Sequence, residues 1–126
     1  MPGPQPARIL VADDEPAILK LVEKILSLEG HRTVSCPDGA TVLARALKGN
    51  FDLLLIDYHM PGLTGFETVK KLRAAKHKLP AILMSGNLPD EIARKSRELE
   101  RLELLPKPFT LAALRAAMTR SLRPVR

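Results

Sequence analysis

Residues 53–62 read LLLIDYHMPG: four aliphatic residues run straight into Asp57, and the chain breaks at Pro61-Gly62. An apolar run without alternation predicts a strand covered on both faces, here over Phe51–Ile56. A single carboxylate delivered to the tip of such a strand is either a cap for the next turn or a reagent. The surrounding sequence bears on which.

Working outward, the same strand-then-helix pattern recurs on both sides. Ile9-Leu10-Val11-Ala12 is a second short apolar run, followed by Asp13-Asp14-Glu15-Pro16, acids and a proline suited to the first turn of a helix. Ile18, Leu21, Val22 and Ile25 then repeat on one helical face until Gly30. A weaker strand is predicted over His31–Ser35. Pro37-Asp38-Gly39 makes a turn, and Ala40, Leu43, Ala44 and Leu47 recur at helical spacing. After Asp57 comes a helix with Phe66, Val69 and Leu72 inward. Next come a strand over Pro80–Met84 ending at Ser85-Gly86 and a poorly apolar helix over Pro89–Glu98. A fifth strand spans Leu102–Leu105 before Pro106-Lys107-Pro108. The last helix carries Leu111, Leu114, Met118 and Leu122. Strands alternating with helices predict one α/β domain, a parallel sheet wound with helices on both faces. The domain is expected over residues 7–122, with a proline-rich disordered lead-in at 1–6 and a short tail at 123–126.

Composition narrows the function. At 126 residues the chain is large enough to bury one core without staples, and its only cysteine, Cys36, allows no internal disulfide. No stretch is apolar enough to span a bilayer and no secretory leader is evident, so a cytoplasmic location and no membrane partner are expected. The net charge of +6 suggests nucleic acid, but the only dense basic run is Lys70, Lys71, Arg73, Lys76 and Lys78 at a predicted helix end. Cations there answer the helix dipole, and without Trp the chain lacks a stacking platform. No direct nucleic-acid binding is expected. His31 and His77 read as loop or surface residues.

In a doubly wound sheet, ligands sit beyond the carboxyl ends of the strands. The residues at those ends are Asp13, Asp14, Asp57, Ser85 and Lys107. Taken singly, an aspartate there is an N-cap, Ser85 caps a turn and Lys107 is a loop charge. Their joint arrival at four strand ends points to a site. Two carboxylates about 4 Å apart repel by roughly 4 kcal/mol at an effective dielectric of about 20. Three need a cation, or one must take a proton. Lys107 offsets one charge, and the oxygen-only remainder suits a hard divalent ion such as Mg²⁺, with Mn²⁺ as a second choice. Between a metal and an ammonium, Asp57 could attack phosphorus.

ILVADDEP, LLLIDYHMPGLTGFE, AILMSG and LPKPF resemble the four signature blocks of the bacterial response-regulator receiver domain (CheY-like), in order and at full spacing. The resemblance implies a flavodoxin-like fold with strand order 2-1-3-4-5. It implies that Asp57 is the phosphoacceptor, taking a phosphoryl group from a sensor histidine kinase or histidine phosphotransfer protein. Asp13, Asp14, Asp57 and the backbone carbonyl of His59 would serve Mg²⁺, Asp13 mainly through water. Ser85 and Lys107 would contact the phosphate. His59 would tune the lifetime of the acyl phosphate, and Lys107-Pro108 matches a bond often cis in the family. The downstream partner would meet the face made by the fourth helix, fifth strand and fifth helix.

The chain also departs from that pattern. Leu104 stands where the family usually has an aromatic switch residue, and Glu100-Arg101 replaces the usual glycine with a small residue. These changes touch the output face and keep open a phosphorylation-independent interaction module. An aspartyl phosphohydrolase would carry a second acid two residues after the first, where this chain has His59. A flavin site lacks its phosphate loop and aromatics. With nothing after Arg126, a stand-alone regulator and the receiver of a larger kinase are both expected readings.

Overall fold

The computed structural model describes residues 6–123. They form β1 (Arg8–Ala12), α1 (Pro16–Leu28), β2 (Arg32–Cys36), α2 (Gly39–Lys48), β3 (Leu53–Asp57), α3 (Gly65–Ala74), β4 (Ala81–Ser85), α4 (Asp90–Ser96), β5 (Leu102–Pro106) and α5 (Leu111–Ser121). The strands are parallel in the order β2-β1-β3-β4-β5, as the resemblance implied. Most of the expected lead-in and tail lies outside the described residues.

Alternation along the strands divides the core in two. Leu10, Ala12, Leu54, Ile56 and Leu83 face one way and pack with Val42 and Ala46 of α2 and Phe66, Val69 and Leu72 of α3. Ile9, Val11, Leu53, Leu55, Ile82 and Met84 face the other way, against Val22 and Leu26 of α1 and Leu114, Ala117 and Met118 of α5. Every residue of β3 and β4 is buried, which is why those strands read as continuous apolar runs. Among the described residues no helix is long and apolar enough to cross a membrane.

Helix phases are where the sequence reading slips. In α1, Leu21 is 55% exposed and Leu26 takes its place inward. In α2 the buried stripe is Gly39, Val42 and Ala46, while Ala40, Ala44 and Leu47 face outward and Leu43 sits at the edge. The cause is close packing at Gly39, where a Cβ would lie 2.3 Å from Thr68 Oγ1 of α3. That contact fixes the helix's rotation. In α5, Leu111 is 41% exposed, and the small residues Ala117 and Ser121 complete the inward face. The fourth helix is shorter than expected, and β3 and β4 each run one residue further, to Asp57 and Ser85.

His31 is buried rather than at the surface: its Nδ1 accepts the Ala7 amide at 3.0 Å. His77 is half-buried, its Nδ1 accepting from Leu79 N at 3.2 Å. The basic run is not uniformly solvated either. Arg73 donates to four backbone carbonyls: Glu100 (2.7 Å), His77 (2.9 Å), Leu79 (2.8 Å) and Arg101 (3.2 Å). It ties the end of α3 to the entries of β4 and β5. Cys36 is fully buried, and burial pushes its thiol pKa up, away from the reactive thiolate.

Candidate functional site

Three strand ends and one loop build the site. Asp13 follows β1, is only 2% exposed, and its Oδ1 accepts the Glu15 amide at 2.9 Å, holding the turn into α1. Asp14 beside it is exposed. Neither is the helix cap, a position held by Glu15 without a side-chain cap bond. Asp57 ends β3 and is buried at 3% exposure. Carboxylate oxygens of Asp13, Asp14 and Asp57 lie within 4.8 Å of one another.

Lys107 answers this cluster from the loop after β5. Its Nζ lies 3.0 Å from Asp13 Oδ2 and 3.0 Å from Asp57 Oδ1. The Lys107 N–H donates to the Ser85 carbonyl at 2.8 Å, which anchors this loop to the end of β4, and the Lys107–Pro108 peptide is cis.

The two partners titrate apart. Burial pushes the Asp57 carboxyl pKa above its ordinary value; contact with Lys107 opposes this, and the charges of Asp13 and Asp14 reinforce it. For Lys107, burial favours the neutral amine, but hydrogen bonds to Asp13 and Asp57 and the charges of both outweigh it, so its pKa rises. The ammonium is firmly held, and Asp57 is the strained member. Oxygen-only donors converging on a partly buried point fit a hard divalent cation.

Ser85 and His59 are less engaged. The Ser85 hydroxyl accepts the Asn87 amide at 3.1 Å, the turn-capping role, at a strand end next to the carboxylates. His59 is exposed, with its ring edge-on to Tyr58 at 5.0 Å between centroids. The structure therefore brings Asp13, Asp14, Asp57 and Lys107 together, with Ser85 and His59 on the margin.

Two supporting features were missed. A Cβ on Gly65 would lie 2.3 Å from the Asp57 carbonyl and 2.7 Å from Leu83 Cδ1, so only glycine lets α3 begin against the tip of β3. The Gly65 amide donates to the Tyr58 carbonyl at 2.9 Å. Thr64 and Glu67 close a capping box on α3, with bonds of 2.9 and 3.1 Å. Its T-x-x-E signature was legible in residues 64–67; the close approach of Gly65 was not.

Comparison with known proteins agrees with this geometry. The family model "Response regulator receiver domain" matches residues 9–119. Sporulation initiation phosphotransferase F of Bacillus subtilis is 29% identical over 115 residues, 91% of this chain and 93% of that protein. The transcriptional activator PfeR of Pseudomonas aeruginosa is 36% identical over 121 residues, 94% of this chain but only 39% of PfeR. The chain thus spans nearly all of one relative and less than half of the other. Among solved structures, Vibrio cholerae chemotaxis protein CheY4 superposes with a TM-score of 0.84 at 29% identity, over 94% of this chain and 100% of that chain. By its family match, its sheet order and its acidic strand ends, this chain belongs to the response regulator receiver domains, the phosphoacceptor domains of two-component signalling.

Proposed function

We propose that Asp57 is the phosphoacceptor of this receiver domain. What carries the reading is the meeting of Asp13, Asp14 and Asp57 with Lys107 Nζ at 3.0 Å from two of them. A carboxylate oxygen of Asp57 attacks the phosphorus of a phosphohistidine, the P–N bond breaks, and the imidazole leaves with the electron pair and takes up a proton. Receiver domains work with histidine kinases or histidine phosphotransfer proteins, and one of these is the donor here.

Asp14, Asp57 and the His59 carbonyl are the ligands we assign to Mg²⁺, with Asp13 acting mainly through water; the ion when bound supplies charge neutralisation for the phosphoryl group. Lys107 holds Oδ1 of Asp57 before transfer and pairs with the phosphoryl oxygens after it. Ser85 gives up its turn bond to Asn87 to donate its hydroxyl to the same oxygens. The phosphorylated side chain carries about −1.5 to −2 charge, and this redistribution of Lys107 and Ser85 biases the face of α4, β5 and α5 towards a protein partner. With Leu104 in place of an aromatic, the response runs through backbone rearrangement of the short α4. His59 governs water access to the acyl phosphate and hence its lifetime. The domain acts in the cytoplasm, either alone or as part of a larger protein.

The test is intact mass after incubation with acetyl phosphate and Mg²⁺, with Asp57→Ala alongside. One added phosphoryl group that needs Mg²⁺ and is lost in the variant is the expected result. No adduct, together with no binding of beryllofluoride, would leave a phosphorylation-independent interaction module as the working description.

A further inference from the structure

At the opposite end of β1 from Asp13 lies a cleft of ≈ 400 Å³ between the end of α2 and the entry to β3, lined by Arg8, Thr41, Arg45, Lys48, Gly49 and Phe51. Three of these are cations and none is an acid. Arg32 adds a fourth cation nearby: it is the register partner of Arg8 on the parallel neighbouring strand, so both side chains leave the same face of the sheet. None of Arg8, Arg32, Arg45 or Lys48 pairs with a carboxylate among the described residues, where the ion pairs involve Lys78, Lys95, Lys107, Arg115 and Arg120 instead. Asp52 accepts the Arg8 backbone amide on its Oδ2 at 2.8 Å; it keeps its charge but forms no ion pair with any of these four side chains.

The cleft is also shaped in advance. The Arg8 guanidinium stacks over the Phe51 ring at 4.7 Å and donates Nη1 to the Asn50 carbonyl at 3.1 Å, which fixes its plane and leaves its other N–H groups unused. Gly49 makes this possible, since a Cβ there would lie 2.8 Å from Phe51 Cε2. Attraction to the last carbonyls of α2 accounts for Arg45 and Lys48 but not for Arg8, which lines the same cleft. Like charges gathered without an ion-pair partner, and outnumbering the one adjacent acid Asp52, favour an anion, and a fixed guanidinium fork suits phosphate oxygens.

We propose that this cleft is a binding site for a small phosphate-bearing ligand of about diphosphate size, held by Arg8, Arg45 and Lys48. A nucleic-acid strand suits it less, because Arg8 and the Gly49 backbone already crowd the one aromatic ring and no face is offered to stack a base. The site lies at the opposite end of the sheet from the phosphoacceptor and shares none of its side chains.

The experiment is a titration of the full chain with inorganic pyrophosphate at about 0.15 M ionic strength, where diffuse surface attraction is screened. The Gly49 amide and arginine Nε–H signals are followed by NMR. Saturable shifts at Gly49, Arg8 and Arg45 with a Kd below about 1 mM are expected. The double variant Arg45→Glu/Lys48→Glu should weaken binding at least about tenfold, and Arg45→Gln/Lys48→Gln by an intermediate factor. Unchanged Mg²⁺-dependent phosphorylation of Asp57 would report that both variants fold. Shifts that never saturate, that spread evenly over Lys70, Lys71 and Lys76, or that persist in the double variants would overturn the assignment. So would a short oligonucleotide or phosphatidylglycerol vesicles outcompeting pyrophosphate, since either would make the cleft part of a broader polyanion surface.

Discussion

Lys107 Nζ stands 3.0 Å from Asp13 Oδ2 and equally far from Asp57 Oδ1, so one ammonium bridges two buried carboxylates delivered by different strands and offsets one of their two charges. Removing one partner of a buried ion pair leaves the other uncompensated, at a cost of about 3 kcal/mol. Lys107→Met should therefore lower unfolding stability by about that amount in metal-free buffer. Added Mg²⁺ should recover part of the loss by binding the folded state. Urea titrations with and without Mg²⁺ measure both, and an unaltered midpoint in metal-free buffer would contradict the pairing.

Asp57→Asn should act in the opposite sense. Because burial raises the folded-state pKa of Asp57 above its unfolded value, the ionised carboxylate is disfavoured in the fold. The fold bears no such penalty below the unfolded carboxyl pKa of about 3.9, and bears all of it once pH exceeds the raised folded value. The variant should be more stable than the native chain at neutral pH without divalent ions, and the gain should vanish in acid. Denaturation midpoints across pH provide the comparison.

Gly65→Ala tests whether the tip of β3 is held by close packing. The added Cβ would be 2.3 Å from the Asp57 carbonyl, so the start of α3 or the strand end must shift. Overpacking of this kind costs about 1–3 kcal/mol. We expect slower phosphorylation as well as lower stability, because the displaced backbone carries the nucleophile. A variant with native phosphorylation kinetics would show that α3 can retreat without moving Asp57.

Arg101 combines strain with anchoring. It sits at φ +54°, and its Nη2 donates to the carbonyls of Ser121 and Arg123 at 2.9 Å each, closing the end of α5. Arg101→Ala forfeits both bonds and keeps the strained backbone, whereas Arg101→Gly forfeits the bonds but relieves it. The alanine variant should be the less stable by about 1 kcal/mol. Equal thermal midpoints would mean that the left-handed conformation costs nothing here.

His59→Ala should change the decay rate of the phosphorylated protein more than the rate of its formation. The ring is exposed and leans edge-on against Tyr58 instead of contacting the carboxylates, so its influence falls on solvent at the rim. Loss of phosphoryl label after removal of the donor gives the decay rate, and identical decay would remove His59 from that role.

Local signals made the site legible. The apolar run into Asp57, the acids after β1 and the lysine between prolines all lie at element ends, where a single residue's type carries meaning. The strand order came from resemblance to a family, since short connections alone admit several orders. Helix rotation was not legible where the sequence holds two plausible stripes. In α2, Ala40-Leu43-Ala44-Leu47 and Gly39-Val42-Ala46 are both helical faces, and the Gly39–Thr68 contact selects the second. Arg73 looked like one cation among several because its acceptors, from His77 to Arg101, gather only in the folded chain. His31 misled for the same reason: the Ala7 amide that buries it lies 24 residues away.

The salt bridge from Lys107 to Asp13 spans 94 positions of sequence. During synthesis the three aspartates emerge before their ammonium, so a nascent chain that ends between Asp57 and Lys107 carries all three acids without the cation that bridges two of them. Only a chain that has emerged through β5 can bring Lys107 to the aspartates, so closure of this ion-pair cluster joins the first, third and last strands of the sheet. A product truncated before Lys107 keeps all three aspartates and loses the ammonium that ties two of them together.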